Sequence, residues 1–505
     1  MNTAGNKKQL KREILIRIIK AFFSKNFEEN IRLIPFNMRP KGMEVPYRCC
    51  IYKERAIIKD RTIAGLGFMI EDDDETVSLS TYAKRALERK NIDNKNLTVL
   101  QAACKGCLTN RIFVTDLCQG CVDRPCLSAC KFNAISVNNG KSCIDELKCK
   151  KCKMCISACP YKAIAKITVP CEEVCFVGAI KKDETGFAVI DYDKCIYCGK
   201  CISSCPFGAV HEKSQIIDIL KALTSDKKVI ALIAPSIAGQ FPGNLYQLKT
   251  AIMQTGFNDV FEVAKGADVT AQKEAKEFVE RMKQNKSFMT TSCCSGYNQL
   301  VKKHFPEIKP FVSDTKTPLY YTAEFIKNKF PDAVTVFISP CVAKKAECFE
   351  DKNIDFVMNF EELAALFETK NIKPDKCQET KFDTESSKQG RRFGITGGVA
   401  EALSTALPDI TNKISVNALN GKMFNINLFK KTKTYSVNGL DKESVLKLKH
   451  FVRNNKTDDD CNLIEVMCCS GGCVGGNATF NEQKKAGEQI NRLTEHSKDI
   501  NKIKQ

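Results

Sequence analysis

Cys149–Pro160 (CKKCKMCISACP) and Cys195–Pro206 (CIYCGKCISSCP) decide how the middle of this chain folds. In each, Cys-x2-Cys-x2-Cys-x3-Cys-Pro is the spacing with which three cysteines wrap one [4Fe–4S] cluster and a fourth reaches its neighbour. A zinc ribbon would pair CxxC units without the third close cysteine or the proline. These runs belong to a group of 17 cysteines between Cys104 and Cys205, out of 28 in the chain. A sparser set lies far downstream at Cys293, Cys294, Cys341, Cys469 and Cys473.

Working outward, the interval from Cys159 to Cys195 is 36 residues, too long for one tandem ferredoxin. From Cys130 to Cys149 it is 19, and from Cys175 to Cys195 it is 20. Each complete run therefore pairs with the degenerate half before it, giving two ferredoxin-like units. The first upstream half is Cys118-x2-Cys121-x4-Cys126-x3-Cys130, which resembles the variant motif of polyferredoxin subunits. The expected sets are Cys118, Cys121, Cys126 and Cys159 on one cluster, and Cys149, Cys152, Cys155 and Cys130 on another. In the second unit the half is cut to Cys171-x3-Cys175. Cys195, Cys198 and Cys201 take Cys175 as fourth ligand, and Cys171 and Cys205 are left needing two more. Cys104 and Cys107 either supply them, giving a fourth accessory cluster, or are merely reduced thiols.

A chain of 505 residues with 43% hydrophobic and 27% charged residues suits a soluble protein of more than one domain. No apolar stretch reaches the roughly 20 residues of a membrane span. The N-terminal segment is basic and amphipathic, but it lacks a secretory h-region and carries Glu13, Glu28 and Glu29, so a structural helix and a cytoplasmic location are expected. The formal charge of +19 counts cysteine as neutral. Each thiolate-ligated [4Fe–4S]²⁺ cluster carries −2, so three or four remove roughly six to eight units. The basic surface that remains suits an acidic protein partner, and nothing in the pattern indicates nucleic acid.

The expected fold is multidomain, α/β and α+β. Residues 1–100 form an N-terminal helical region of unknown role, and residues 101–211 form the ferredoxin-like iron–sulfur region. Residues 212–480 form an α/β domain with parallel sheet, because apolar runs (VIALIAP, AVTVFISP, FGITGGV) alternate with helical stretches at 268–284 and 319–328. Residues 481–505 read as a polar tail, a surface helix or a frayed end.

Three segments of the α/β domain carry chemistry: TTSCCSGY (Thr290–Tyr297), SPCVAKKAE (Ser339–Glu347) and EVMCCSGGCVGG (Glu465–Gly476). In this order, downstream of the cysteine-rich region, they resemble the three signatures of [FeFe]-hydrogenases. Further stretches share the likeness: IAPS (Ile233–Ser236, with Pro235), GADVT (Gly266–Thr270), NFEELA (Asn359–Ala364) and GITGGVAEA (Gly394–Ala402).

Carried over by position, the resemblance implies that Cys294, Cys341, Cys469 and Cys473 hold the [4Fe–4S] part of an H-cluster. Cys473 would bridge to a diiron unit bearing CO, cyanide and an azadithiolate. Cys293 would shuttle protons, Lys344 would hydrogen-bond a cyanide, Glu347 would support the lysine, and Met467, Ser339, Pro235 and Ser236 would line the cofactor. Glu274, Glu277 and Arg281 share one helix face. Spacing alone favours a solvated Glu277–Arg281 pair, whereas the resemblance makes them a proton path with Ser313. The implied activity is reversible 2H⁺ + 2e⁻ ⇌ H₂, fed by an acidic ferredoxin-type carrier and dependent on maturation proteins.

The chain departs from the family pattern at Ser295, Tyr297, Ser339 and Asn477, which stand for the usual proline, tryptophan, methionine and glycine. It looks like a divergent monomeric subgroup, with a pocket made more polar by Ser339. The alternatives are a non-catalytic Fe–S assembly protein, which would need no Cys293, Lys344 or Glu347, a hydrogen sensor, which tends to lose the relay cysteine, and a ferredoxin-fed redox protein of unrelated chemistry.

Overall fold

The computed structural model describes residues 7–42, 48–104, 107, 111–407, 424–426, 432–458, 461–495 and 497–502. Val229–Ile233, the apolar run read as a strand, is buried along its whole length inside a four-stranded parallel sheet. The strand order is Asp259–Glu262, Val229–Ile233, Val334–Ser339, Phe356–Asn359. Unbroken apolar and β-branched side chains suit strands covered on both faces. The expected helices appear as Val263–Lys283 and Pro318–Lys329. They cross at Gly266, where an added Cβ would lie 2.1 Å from the Pro318 carbonyl oxygen, so only glycine lets the two backbones meet.

A second sheet lies beyond what the apolar runs suggested. Met289–Thr290, Cys461–Met467 and Thr432–Asn438 run parallel, and Phe424–Ile426 is added antiparallel. The expectation of a β-type run at FGITGGV is corrected: Phe393–Gly397 is a turn after helix Lys388–Arg392, and Gly398 and Val399 begin helix Gly398–Ala406. Its glycines explain the difference. Gly397 has φ +87°, and a Cβ on Gly398 would lie 2.0 Å from the Arg392 carbonyl oxygen.

Both ferredoxin-like units have the same plan, a central hairpin and an outer antiparallel pair. In one, Ile135–Asn138 pairs with Lys141–Ile144, and Arg111–Val114 with Ile164–Ile167. In the other, Ile180–Lys182 pairs with Ala188–Ile190, and Val210–Glu212 with Leu97–Val99. The last pairing moves the border expected at residue 100, because Leu97–Val99 belongs to the iron–sulfur region. It also means that the first unit is inserted within the second, whose upstream strand and Cys104 precede it in sequence.

The N-terminal helices clamp these parts together. Lys7–Phe22 buries Ile14, Leu15, Ile18 and Ile19 and packs on Phe360–Thr369 of the α/β domain. From the same helix, Lys7 Nζ donates to the carbonyls of Ile202 and Cys205 at 3.0 and 2.9 Å. Helix Gln483–Thr494, in the segment read as a tail, sets Ala486 and Ile490 against Val474. Among the described residues no helix is long and apolar enough to cross a membrane.

Candidate active site

Chain segments leaving the carboxyl ends of four parallel strands converge on one cavity, the position where open α/β sheets place ligands. Ala234–Ser236 follows Val229–Ile233, and Pro340–Lys344 follows Val334–Ser339. Cys293 and Cys294 follow Met289–Thr290, and Cys468–Cys473 follows Cys461–Met467. The cavity has about 870 Å³ of empty volume, partly open. Cys293, Cys294, Cys341, Cys469, Cys473, Lys344, Met467, Ser339, Pro235 and Ser236 all line it. Every residue that the sequence assigned to holding the cofactor is therefore in one place.

The donor set fits an anionic, thiolate-ligated iron group. Burial pushes the Cys341 and Cys473 thiols up to about 12, so each keeps its proton unless a metal displaces it. Ser236 Oγ is fully buried without a hydrogen-bond partner in the protein and lines the cavity, a donor left for something held there. Glycine keeps the backbone close at Gly472 (φ +85°), where a Cβ would lie 2.8 Å from the Gly394 carbonyl oxygen.

Lys344 reaches the cavity while its ammonium holds Glu347 Oε2 at 2.6 Å. Burial would lower the lysine pKa, but Glu347 outweighs it and the ammonium stays charged. Glu347 also accepts from the hydroxyls of Ser295 and Thr317. Ser295, where the family pattern has proline, thus braces the lysine's partner. The more polar pocket expected from Ser339 takes another form. Its hydroxyl accepts from the Cys341 N–H at 3.2 Å and faces the Cys341 carbonyl at 3.3 Å, turned onto that peptide. Asn477 Oδ1 accepts from Val342 N–H at 3.2 Å, pinning the same loop.

On the far side of Cys293, Glu274 is buried on helix Val263–Lys283 and accepts from Ser292 N–H at 3.0 Å. Burial raises its carboxyl to about 7, partly offset by the Ser292 bond. Its second oxygen is buried and makes no hydrogen bond of normal geometry, although Ser313 lies beside it. Ser313 Oγ donates to Glu277 Oε2 at 2.7 Å, and Glu277 Oε1 meets Arg281 at 2.7 Å. Burial favours a neutral Glu277, but the Asp314 N–H, the Ser313 and Thr315 hydroxyls and Arg281 outweigh it and hold the carboxyl low. The i,i+4 pair of Glu277 and Arg281 is the outer end of a line of polar side chains that continues through Ser313 to Glu274.

Two of the accessory cysteine sets line cavities of their own. Cys130, Cys149, Cys152 and Cys155 line a small cavity. Cys175, Cys195, Cys198 and Cys201 line another. Cys104, Cys107, Cys171 and Cys205 are mutual neighbours, so the folding of the second unit around the first brings Cys104 and Cys107 to the two cysteines short of partners. Cys118, Cys121, Cys126 and Cys159 lie in the first unit, with Cys126 and Cys159 in its core cluster.

Two residues escaped the sequence reading. Glu465, only a motif letter there, is wholly buried and accepts from Gly397 and Ala400 N–H at 2.7 and 2.9 Å, tying the strand before Met467 to helix Gly398–Ala406. Cys468 was overshadowed by its ligand-like neighbour Cys469. It is buried, lines the main cavity and packs with Cys198 and Cys294.

Residues 227–477 match the family model described as iron only hydrogenase large subunit, C-terminal domain, and residues 188–211 match a 4Fe-4S binding domain. The chain is 29% identical to iron hydrogenase 1 of Clostridium pasteurianum over 318 residues, 56% of this chain and about half (55%) of that protein's length. It is 21% identical to a cytosolic Fe-S cluster assembly factor of Kluyveromyces lactis over 292 residues, 47% of this chain and 62% of the other. An apo [FeFe]-hydrogenase from Chlamydomonas reinhardtii aligns over 57% of this chain and 92% of its own, at 22% identity and TM-score 0.48. With the hydrogenase family model matched from residue 227 to 477, the chain belongs to the [FeFe]-hydrogenase-like proteins.

Proposed function

We propose that this chain is a hydrogenase interconverting H₂ with two protons and two electrons. One observation carries the reading: Cys293 and the Lys344–Glu347 pair line or back the same cavity as the four cubane-type cysteines, and a line of polar side chains leads outward from Glu274, a neighbour of Cys293. Cys294, Cys341, Cys469 and Cys473 would hold a [4Fe–4S] cluster, with Cys473 also contacting a diiron unit bearing CO, cyanide and azadithiolate. The bound group would supply the redox chemistry at hydrogen.

The chain's own residues would do the rest. The Lys344 ammonium offers a charge-assisted donor to an anionic ligand, and Glu347, held by Ser295 and Thr317, fixes its direction. Cys293 would pass a proton between the cavity and Glu274, whose pKa near 7 suits it to take and give one at neutral pH. Ser313, Glu277 and Arg281 would continue the transfer to the surface. Electrons would arrive from an acidic ferredoxin-type carrier through the first unit, the Cys104–Cys107–Cys171–Cys205 group and the Cys175–Cys195–Cys198–Cys201 group. The chain would need hydrogenase maturation proteins and a reducing, cytoplasmic setting.

The likeness to Fe–S assembly factors favours a second reading, a cluster carrier without catalysis. Such a carrier has no use for a buried thiol at 293 or for a braced ammonium in the cavity. Infrared spectra of the matured protein separate the two. Bands from CO and cyanide are expected, and their absence after full maturation would leave the carrier reading.

A further inference from the structure

The two complete cysteine runs fold alike but face different surroundings. In Cys195–Cys201 the intervening residues are sealed in, with Ile196 1% and Tyr197 7% exposed, and Cys198 lines the main cavity. Lys303 of the α/β domain donates to the Tyr192 and Cys195 carbonyls, both at 2.8 Å, closing that side. In Cys149–Cys155 the same loop is open. Lys150, Lys151, Cys152, Lys153 and Met154 are all exposed. Lys148 meets Asp145 at 3.7 Å, whereas among the described residues no carboxylate pairs with Lys150, Lys151 or Lys153.

Backbone geometry sharpens the contrast. Both loops need two left-handed residues, Tyr197 (φ +54°) and Gly199 (φ +75°) in the sealed run, Lys151 (φ +56°) and Lys153 (φ +68°) in the open one. Glycine adopts this conformation freely and lysine does not. The open run therefore carries a strained lysine where its twin has the relaxed residue, and strain kept at a surface loop points to use of the side chain.

Lys150 and Lys153 line the cavity of Cys130, Cys149, Cys152 and Cys155 together with Phe132. Leu147, 92% exposed, and Met154, 49% exposed, flank the lysines in sequence. Exposed apolar side chains among positive charges without carboxylate partners suit a protein partner of opposite sign. The other outward cysteine loop of this unit, Cys118–Cys121, has mixed charge instead: exposed Asp116 meets Lys141 at 3.9 Å, Asp123 is exposed, and Arg124 and Lys141 lie beside Cys118. Charge thus selects one of the two faces.

We propose that the face formed by Lys150, Lys151, Lys153, Leu147, Met154 and Phe132 docks an acidic, one-electron carrier protein of the ferredoxin type, which delivers its electron to the cluster held by Cys130, Cys149, Cys152 and Cys155. The proposal rests on the cluster-binding part of the reading above and not on hydrogen chemistry.

The test reduces the full, cluster-loaded chain with a dithionite-free, reduced acidic bacterial ferredoxin and follows bleaching of the accessory clusters, a readout independent of H₂. Combined Lys150→Glu, Lys151→Glu and Lys153→Glu, in protein shown by iron analysis to hold its clusters, should lower the second-order rate at least tenfold at low salt and remove its salt dependence. A milder variant, Lys150→Gln, Lys151→Gln and Lys153→Gly, relaxes the loop and decides the matter if the first fails to hold its clusters. It should show a several-fold loss. Wild-type rates and salt dependence in a cluster-loaded variant overturn the proposal. So does an equal loss from Lys484→Glu with Lys485→Glu on the outer helix of the α/β domain.

Discussion

The thiols of Cys198 and Cys468 are in contact, one from the sealed ferredoxin-like run and the other from the loop that carries Cys469 and Cys473. Each shifts the other, Cys198 downward and Cys468 upward, so Cys468 keeps its proton beside a cysteine expected to ligate the neighbouring accessory cluster. Hydrogen bonds to cluster sulfurs raise reduction potential by stabilising the more negative reduced state.

Replacing Cys468 by alanine should therefore leave iron content unchanged, because Cys468 belongs to neither ligand set. The potential of the neighbouring accessory cluster should fall by tens of millivolts, the scale of about 1 kcal/mol for one electron. An EPR-monitored redox titration checks this. Lost iron would instead make Cys468 a ligand.

Glu274→Gln should separate catalysis from stability. Turnover should drop by about two orders of magnitude, the usual contribution of a positioned proton-transfer group. The folded pKa of Glu274, about 7, lies above its ordinary 4.5, so its favourable contribution is complete below the ordinary value and lost as pH rises through the folded one. The glutamine variant should accordingly be the more stable protein above pH 7, by up to about 3 kcal/mol, and lose that advantage near pH 4. Thermal melts at several pH values measure it.

Glu465→Ala leaves the N–H groups of Gly397 and Ala400 without their acceptor in a buried place. The expected cost is about 3 kcal/mol or more, concentrated at the main cavity. EPR should show the accessory clusters intact and the H-cluster signal lost, whereas a uniform loss of all clusters would contradict a local role.

Ser339→Met removes the hydroxyl that engages the Cys341 peptide and adds bulk to the cavity wall. Film electrochemistry of the two proteins should show different catalytic bias and oxygen sensitivity. Superimposable traces would mean that Ser339 does not tune the site.

Much of the site was legible because ligation demands fixed residue types at fixed spacing. Cys130 and Cys175 were paired with their runs by counting residues, and both line the cavities so implied. Counting did not show that one ferredoxin-like unit is inserted in the other, since strand Leu97–Val99 carries no cysteine and pairs with a partner more than a hundred residues away. The second sheet was hidden for a related reason: Cys461–Met467 ends in the ligand motif, and its chemistry masked its strand character. FGITGGV misled through apolar content, where the glycines Gly397 and Gly398 dictated a turn. The support of Glu347 by Ser295 and Thr317, far apart in sequence, came only from the fold.

Hydrogen evolution and uptake by the matured full chain, beside its Cys293→Ala variant, test the central claim most directly. The account predicts turnover in both directions, falling by orders of magnitude in the variant while infrared bands and cluster content persist. A matured protein with a full complement of clusters and no hydrogen turnover, or a Cys293→Ala variant as active as wild type, would contradict it.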